Sequence, residues 1–233
     1  MILRHGAVTA YLFPAVRLGA VALVSGSNIR RIHGSLVLSE TKAAATLDGS
    51  MYTDIGSGLA RGRFLLYDQQ QRLSIPSRAP SDGMTISVRE GIAHASSGST
   101  VFPGSTVAVQ LYPELVRSGR NVANPARDAS SDWRAALGIF RDGRLGFAVG
   151  IASMHAFASD LRAMGFTEAG YTDGGDSTLL AFEDGQWIGD PHHRAVATWL
   201  IDRGESEQSS GITEFLISFG IGWLVYHWSR NSA

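Results

Sequence analysis

The stretch of sequence that decides the fold runs from residue 135 to residue 178 and reads AALGIFRDGRLGFAVGIASMHAFASDLRAMGFTEAGYTDGGDST. Two apolar runs, 135–140 and 145–151, flank an Asp-Gly turn, a pattern typical of a β-hairpin. The residues from Ser153 to Met164 carry apolar side chains at helical spacing and are followed by Gly165, which predicts an amphipathic helix. This order predicts an α+β fold of mixed or antiparallel sheets with few helices.

The rest of the chain adds short strands around this segment. Alternating or β-branched runs bounded by glycine, proline and polar residues are typical of strands. A serine followed by an alanine-rich run predicts a short helix over Ser39–Ala45, and the long polar connection Arg117–Asp132 is expected to be a functional lid. The predicted strands are one or two within Ala7–Val24, then Thr46–Tyr52, Arg61–Tyr67, Thr85–Val88, Val107–Leu111, Ala169–Thr172, Thr178–Phe182, Gln186–Ile188 and Ala195–Ile201.

Composition bounds the class of protein. With 233 residues, 44% of them hydrophobic and 18% charged, the chain has room for one large folded domain, or one domain and a short appendage. A net charge of −1 implies no general attraction to nucleic acid, so we expect no nucleic-acid partner. The absence of cysteine excludes disulfides and thiolate chemistry. Pro14 and Arg17 interrupt the first apolar stretch, and we therefore expect no signal peptide.

The C-terminal residues differ in composition from the rest. We expect a domain over residues 1–203, a polar linker over 204–211 and an apolar C-terminal helix over 212–233. The apolar run Phe215–Trp228 would span about 21 Å as a helix, short of the roughly 30 Å hydrocarbon core of a membrane. We therefore expect this helix to dock on another subunit and make an oligomer. A membrane contact, with virion or envelope association, is the alternative.

A glycine-rich turn, Tyr171–Thr178, is the strongest candidate for chemistry. The adjacent glycines Gly174 and Gly175 allow positive φ and a close approach of a ligand to the main chain. Asp173 would present a carboxylate there, and Ser177 and Thr178 would supply hydroxyls. Such a loop can hold a phosphate or sugar hydroxyls. The alternative is an ordinary tight turn between two strands.

Other charged residues also lie at the ends of predicted strands: Asp48, Arg134 and Arg194. A phosphodiester needs cationic neutralisation, which arginine supplies bidentately, and glycosidic cleavage needs an acid near the leaving oxygen. Asp190, His192 and His193 could form half of a metal site, but adjacent histidines on a strand point to opposite faces. We therefore predict no metal ligands and no required cofactor, although a divalent cation is left open.

The order of these motifs resembles the phosphodiester glycosidase family. The segments that correspond to the family's motifs are Ala43–Tyr52, Arg134–Gly138 with Asp142-Gly143, Ser153–Thr178, and Arg194 with Val196. The resemblance covers roughly residues 43–201. Four positions depart from the family pattern: Asp48 stands for an asparagine, Ser50 for the second glycine of the first motif, Asp176 for a third glycine, and His193 for a glutamate.

The resemblance implies hydrolysis of a glycosidic bond in a sugar phosphodiester or a cell-envelope glycan. Asp173 would be the acid/base or the nucleophile, Asp48 the second carboxyl group, and Arg134 and Arg194 the anion clamps. The expected substrate-binding residues are Gly174, Gly175, Ser177, Thr178, His193 and Tyr52. The alternative function is a non-catalytic carbohydrate-binding or structural module of a virion or envelope assembly.

Overall fold

The computed structural model describes the chain except for residues 26–27, 50–51, 57–58, 63–64, 69–70, 75–82, 127–128, 206–214, 220–221 and 227–233. It describes the backbone alone for residues 23–25, 28–30, 52–56, 59–62, 67, 71–74, 215–219 and 222–226.

Short strands make up most of the described chain, with α1 over Gly34–Thr41, α2 over Met154–Met164 and 3-10 turns over Ala15–Arg17 and Gly175–Ser177. The strands, in chain order, are β1 Ile2–His5, β2 Val8–Phe13, β3 Leu18–Ser25, β4 Asn28–Arg30, β5 Ala45–Asp48, β6 Tyr52–Gly56, β7 Leu59–Gly62, β8 Leu66–Asp68, β9 Gln71–Ser74, β10 Met84–Arg89, β11 Ile92–Ser97, β12 Val107–Leu111, β13 Glu114–Arg117, β14 Arg120–Asn121, β15 Asp132–Phe140, β16 Leu145–Ala152, β17 Phe166–Gly174, β18 Leu179–Phe182, β19 Trp187–Gly189, β20 Thr198–Asp202, β21 Phe215–Phe219 and β22 Gly222–Tyr226.

The described strands form four sheets. A seven-stranded sheet has the order β1-β2-β16-β15-β17-β13-β14, and an eight-stranded sheet has the order β19-β18-β5-β20-β3-β4-β7-β6. A five-stranded sheet, β11-β10-β12-β8-β9, and the pair β21-β22 complete the set. Every strand pairing between described residues is antiparallel, as in the β15–β16 hairpin, where Ala135 lies opposite Val149. The predicted α+β class with few helices is confirmed.

Three apolar clusters show how the layers pack. The central cluster joins the inner faces of the seven-, five- and eight-stranded sheets, with Phe147, Leu111 and Leu47 among its buried members. A second cluster packs α2 on the outer face of the seven-stranded sheet, and a third packs α1 on the outer face of the eight-stranded sheet. Removing these apolar side chains from water is the dominant stabilising contribution to such a fold.

The predicted helix after the hairpin is confirmed, and its ends explain its position. The Ser153 hydroxyl oxygen accepts a hydrogen bond from the Ala156 amide at 3.3 Å, which caps the N-terminus. Gly165 adopts φ 108° and ends the helix in the left-handed region. The helix predicted over Ser39–Ala45 is wrong in position, because Ser39 lies inside α1 and residues 43–45 lead into the buried strand β5.

The expected apolar C-terminal helix is not supported by the structure. Its residues instead form strands β21 and β22, with Phe215 opposite Tyr226 and Phe219 opposite Gly222. Glycine disfavours a helix interior, and the aromatic and β-branched residues on either side of Gly220 and Gly222 favour strands. The backbone of β22 lies beside β3. Within the described residues, no helix has the length and apolar character needed to cross a membrane. The linker over 204–211 and the docking of the C-terminal segment on a partner remain predictions.

Candidate active site

Asp173 lies at the end of β17, where the chain leaves the seven-stranded sheet and enters the 3-10 turn Gly175–Ser177. Its side chain is only partly exposed, and its carboxylate accepts hydrogen bonds from the Gly174 amide at 2.9 Å and from the Ser177 hydroxyl. Burial raises the pKa of the Asp173 carboxyl group, whereas these two hydrogen bonds and the nearby Arg194 oppose the rise. Asp173 therefore holds its proton to a higher pH than an exposed aspartate does.

The two glycines after Asp173 are required by the local geometry. A side chain at Gly174 would overlap the hydroxyl group of Tyr171, which lies on the same strand. Gly175 adopts φ 58°, a left-handed conformation that other residues adopt only with strain. Gly174 thus lets the turn close tightly over Tyr171, and Gly175 provides the positive φ that the turn needs. This explains their presence without requiring that either one contacts a ligand.

Asp48 lies beneath this turn, at the end of β5, and is completely buried. Its carboxylate accepts hydrogen bonds from the Thr172 hydroxyl at 3.1 Å, from the Leu179 amide at 3.2 Å and from the Asp173 amide. Burial raises the pKa of Asp48 well above the ordinary value, and the neighbouring Asp173 carboxylate raises it further. Asp48 thus joins β5 and β18 of one sheet to β17 of another.

Arg134 supports the turn from the neighbouring strand. It lies on β15 opposite Gly174, and only 4% of the residue is exposed. Its guanidinium group donates to the carbonyl oxygens of Ala152 at 3.2 Å and Ser130 at 3.1 Å, and also to the hydroxyl group of Tyr171. Arg134 therefore holds the main chain at Ser130 and Ala152 and the Tyr171 side chain in place below the site. Little of the guanidinium group faces solvent.

Arg194 lies at the solvent edge of the site, with 43% of its side chain exposed. Its Nε lies 3.1 Å from Oδ1 of Asp176 and donates to the Ser177 hydroxyl oxygen at 3.2 Å. The Arg194 amide also donates to the Asp176 carbonyl oxygen at 2.8 Å, which fixes the two segments together. His193 precedes Arg194 in the chain, and its ring contacts the Asp190 carbonyl oxygen, 3.1 Å from Nδ1, and the Trp187 ring, with 5.3 Å between the ring centroids.

The structure brings together most of the predicted site residues although they are distant in sequence. The connected set comprises Asp48, Arg134, Asp173, Gly174, Gly175, Ser177 and Arg194, with His193 beside it. Thr178 is adjacent but fully buried, and its hydroxyl group has no hydrogen-bond partner among the described residues. The side chain of Tyr52 lies outside the described residues. Nowhere in the described part of the chain do three His, Asp or Glu side chains form a group that could hold a metal ion.

Three further residues belong to the site and were not among the predicted ones. Tyr171 lies under the glycine turn, Thr172 donates to Asp48, and Asp176 pairs with Arg194. Tyr171 and Thr172 directly precede Asp173 at the polar end of a predicted strand. This position is the feature of the sequence from which their place in the site could be predicted. Asp176 was noted only as a departure from the family's glycine. Its pairing with Arg194 depends on the tertiary structure.

Comparisons with known proteins agree with this arrangement. The family model described as phosphodiester glycosidase matches residues 40–201. Among solved structures, the chain is similar to the catalytic domain of zebrafish N-acetylglucosamine-1-phosphodiester alpha-N-acetylglucosaminidase auto-inhibited by its pro-peptide. The identity is 14% and the TM-score 0.65, covering 85% of this chain and 76% of that one. A hypothetical protein from Synechocystis is 15% identical with a TM-score of 0.57, covering 86% of this chain and 60% of that one.

A comparison with curated proteins finds no match to this chain. The similarity to the two solved structures concerns the fold, since both identities are low. The family match has wider support, because it covers more than half of the sequence and includes Asp48, Arg134, Asp173 and Arg194. This chain belongs to the phosphodiester glycosidase family.

Proposed function

We propose that this protein is a glycosidase-type hydrolase that cleaves the glycosidic bond of a sugar phosphodiester. Membership of the phosphodiester glycosidase family supports the reaction class. The observation that carries the proposal is the placement of Asp173. Its partly exposed carboxyl group has a raised pKa and lies beside the exposed cation Arg194. An acid beside an anion-binding group is what this bond cleavage needs.

Asp173 acts as the general acid in this proposal. A raised pKa keeps the Asp173 carboxyl group protonated to a higher pH than an exposed aspartate, which favours its use as a proton donor. Asp173 gives its proton to the glycosidic oxygen as the bond between that oxygen and the anomeric carbon breaks. A water molecule adds to the anomeric carbon and loses one proton to the solvent, and the products are the free sugar and a phosphate monoester.

Arg194 stabilises the departing phosphate. The phosphodiester carries one negative charge, and further negative charge develops on the glycosidic oxygen in the transition state, before the Asp173 proton is fully transferred to it. A guanidinium group near that phosphate is therefore more stabilising in the transition state than in the bound substrate. Ser177 connects the two functions, because its hydroxyl group contacts both Asp173 and Arg194.

Asp48 is proposed to position Asp173 and not to contact substrate. It is completely buried, and its three hydrogen bonds go to the strand ends on either side of Asp173. Arg134 has a corresponding role through Tyr171 and Gly174. This positioning role differs from the anion-clamp role that the sequence predicts for Arg134. The anion-clamp role has not been tested and remains a prediction.

Replacement of Asp173 by asparagine tests the proposal. We expect Asp173→Asn to lower kcat about 10²- to 10⁴-fold on methyl phosphodiesters of N-acetylglucosamine 1-phosphate and of other sugars. Its melting temperature should stay within a few degrees of wild type, because the pKa of the partly buried Asp173 carboxyl group is raised and its ionised form therefore contributes no net stability. The matched control is Asp184→Asn on the exposed turn between β18 and β19, which should retain full activity.

Two results would contradict the proposal. If Asp173→Asn unfolds while Asp184→Asn does not, the turn at Asp173 is a structural element only. If the wild-type protein binds the sugar phosphodiesters without releasing free sugar, the chain is a carbohydrate-binding module. Free sugar release, followed by chromatography, distinguishes turnover from binding.

A further inference from the structure

Arg194 is already paired with a carboxylate of its own chain. Asp176 Oδ1 lies 3.1 Å from Arg194 Nε, and both side chains are exposed, with 43% and 57% of their surfaces accessible. The Arg194 amide also donates to the Asp176 carbonyl oxygen at 2.8 Å, which holds the two residues in register. Asp176 therefore partly neutralises the positive charge of Arg194 at the solvent edge of the site.

The charges around this pair are mostly negative. The Asp176 carboxylate raises the pKa of Asp173, while Arg194 lowers it, so all three groups interact electrostatically. Asp132 adds a further carboxylate on the other side of the turn, with Oδ2 3.7 Å from the position that a Cβ at Gly175 would occupy. A doubly charged anion meets more repulsion in this setting than a singly charged anion does.

We infer that Asp176 is a specificity-determining residue whose carboxylate occupies the place of an anionic substrate group on Arg194. A phosphate that binds Arg194 Nε takes the place of the Asp176 carboxylate and competes with the Ser177 hydroxyl oxygen for the same N–H group. Exposed ion pairs of this kind are weak, so a singly charged phosphodiester can make the exchange. The phosphate monoester product carries up to two negative charges at neutral pH, and Asp176 favours its departure. This inference rests on the proposed function of the site.

Binding of inorganic phosphate to the intact protein tests the inference without requiring turnover. We expect Asp176→Asn to tighten phosphate binding about three- to tenfold at low salt, because one repelling charge is lost and Arg194 loses its internal partner. The gain should shrink as ionic strength rises. The control is Glu183→Gln, an exposed residue between β18 and β19 that changes the net charge by the same amount. It should leave the dissociation constant unchanged.

The double variant Asp176→Asn/Arg194→Gln provides the second control. It should bind phosphate no more tightly than wild type, because the cation that receives the phosphate is missing. An equal fall in the phosphate dissociation constant in Asp176→Asn and Glu183→Gln would overturn the inference, because the change in net charge alone would then explain the effect. Tightening that persists in the double variant would also overturn it. An inactive wild-type protein that shows the expected binding pattern would refute the hydrolase proposal and leave the role of Asp176 intact.

Discussion

The Asp48 carboxyl group is completely buried where the ends of β5, β17 and β18 meet. Its hydrogen-bond donors are Thr172, Asp173 and Leu179, all provided by the segment that forms the site. An ionised aspartate at this position lowers the stability of the fold, because burial of a charge is unfavourable and Asp173 adds a second negative charge. The raised pKa of Asp48 reports this cost and makes it measurable.

We predict that Asp48→Asn stabilises the protein at high pH and has little effect at low pH. The pKa of Asp48 rises from its ordinary value of 3.8 on folding, so the folded state binds the proton more tightly than the unfolded state. The contribution to stability is complete below about pH 4 and is lost as pH rises through the folded pKa. The asparagine variant, which cannot ionise, should melt a few degrees above wild type at pH 8.

Melting temperatures of the two proteins at pH 4 and pH 8 check this prediction. The difference between the proteins isolates Asp48, because the other carboxyl groups are common to both. An asparagine variant that melts lower than wild type at pH 8 would contradict it, since the ionised carboxylate would then be stabilising.

At the scale of elements, the C-terminal hairpin differs most from the sequence-based expectation. The strands β21 and β22 pair with each other in a two-stranded sheet. An isolated two-stranded hairpin is marginally stable in water, so strands rich in Phe, Leu, Ile and Val need a cover. We still propose that a second subunit provides it. The alternative is that β22 packs on β3, beside which its backbone lies.

We predict that truncation after Ser209 leaves a folded domain that is monomeric. The three apolar clusters of described side chains are formed by residues before position 202, and we expect this core to be large enough to fold by itself. Size-exclusion chromatography with light scattering, compared with the full chain, measures the oligomeric state. Aggregation of the truncated protein would show that the hairpin covers the domain itself. A truncated protein that stays oligomeric would place the subunit contacts elsewhere.

At the scale of the whole molecule, a buried ion pair connects the sheets. Arg17 donates from Nε to Asp202 Oδ1 at 2.6 Å and from Nη2 to Oδ2 at 2.5 Å. The Tyr11 hydroxyl donates to the same carboxylate at 2.7 Å, which joins β2 of the seven-stranded sheet to β20 of the eight-stranded sheet. The Asp202 side chain is fully buried, so its charge depends on these partners.

We predict that Arg17→Gln lowers the free energy of unfolding by about 3 to 5 kcal/mol, because it leaves a buried carboxylate without its cation. The control is Arg144→Gln, which breaks an ion pair with Asp142 in which both side chains are more exposed. That change should cost about 1 kcal/mol or less. Urea denaturation of the variants compares the two costs. Equal costs would contradict the prediction, because burial would then make no difference.

The elements formed by neighbouring residues could be predicted from the sequence. The β15–β16 hairpin, helix α2 and the Asp173 turn each depend on residues within a few positions, such as Ser153 at the start of the helix and Gly165 at its end. Their positions at the ends of predicted strands indicated Asp48, Arg134 and Arg194 as site candidates, and the family resemblance gave each a role. The structure places these residues around Asp173.

Only the tertiary structure decided how each of these residues is used. The hydrogen-bond partners of Asp48 lie 124 and 131 positions away in sequence, and its complete burial follows from packing between sheets. Arg134 contacts the Ala152 carbonyl oxygen across the β15–β16 hairpin, and Asp176 meets Arg194 across the β18–β19 hairpin. Local patterns fix hydrogen bonds within a segment. Burial and charge pairing arise when distant segments pack, and they separate the partly exposed Asp173 and the exposed Arg194 from the buried residues that support them.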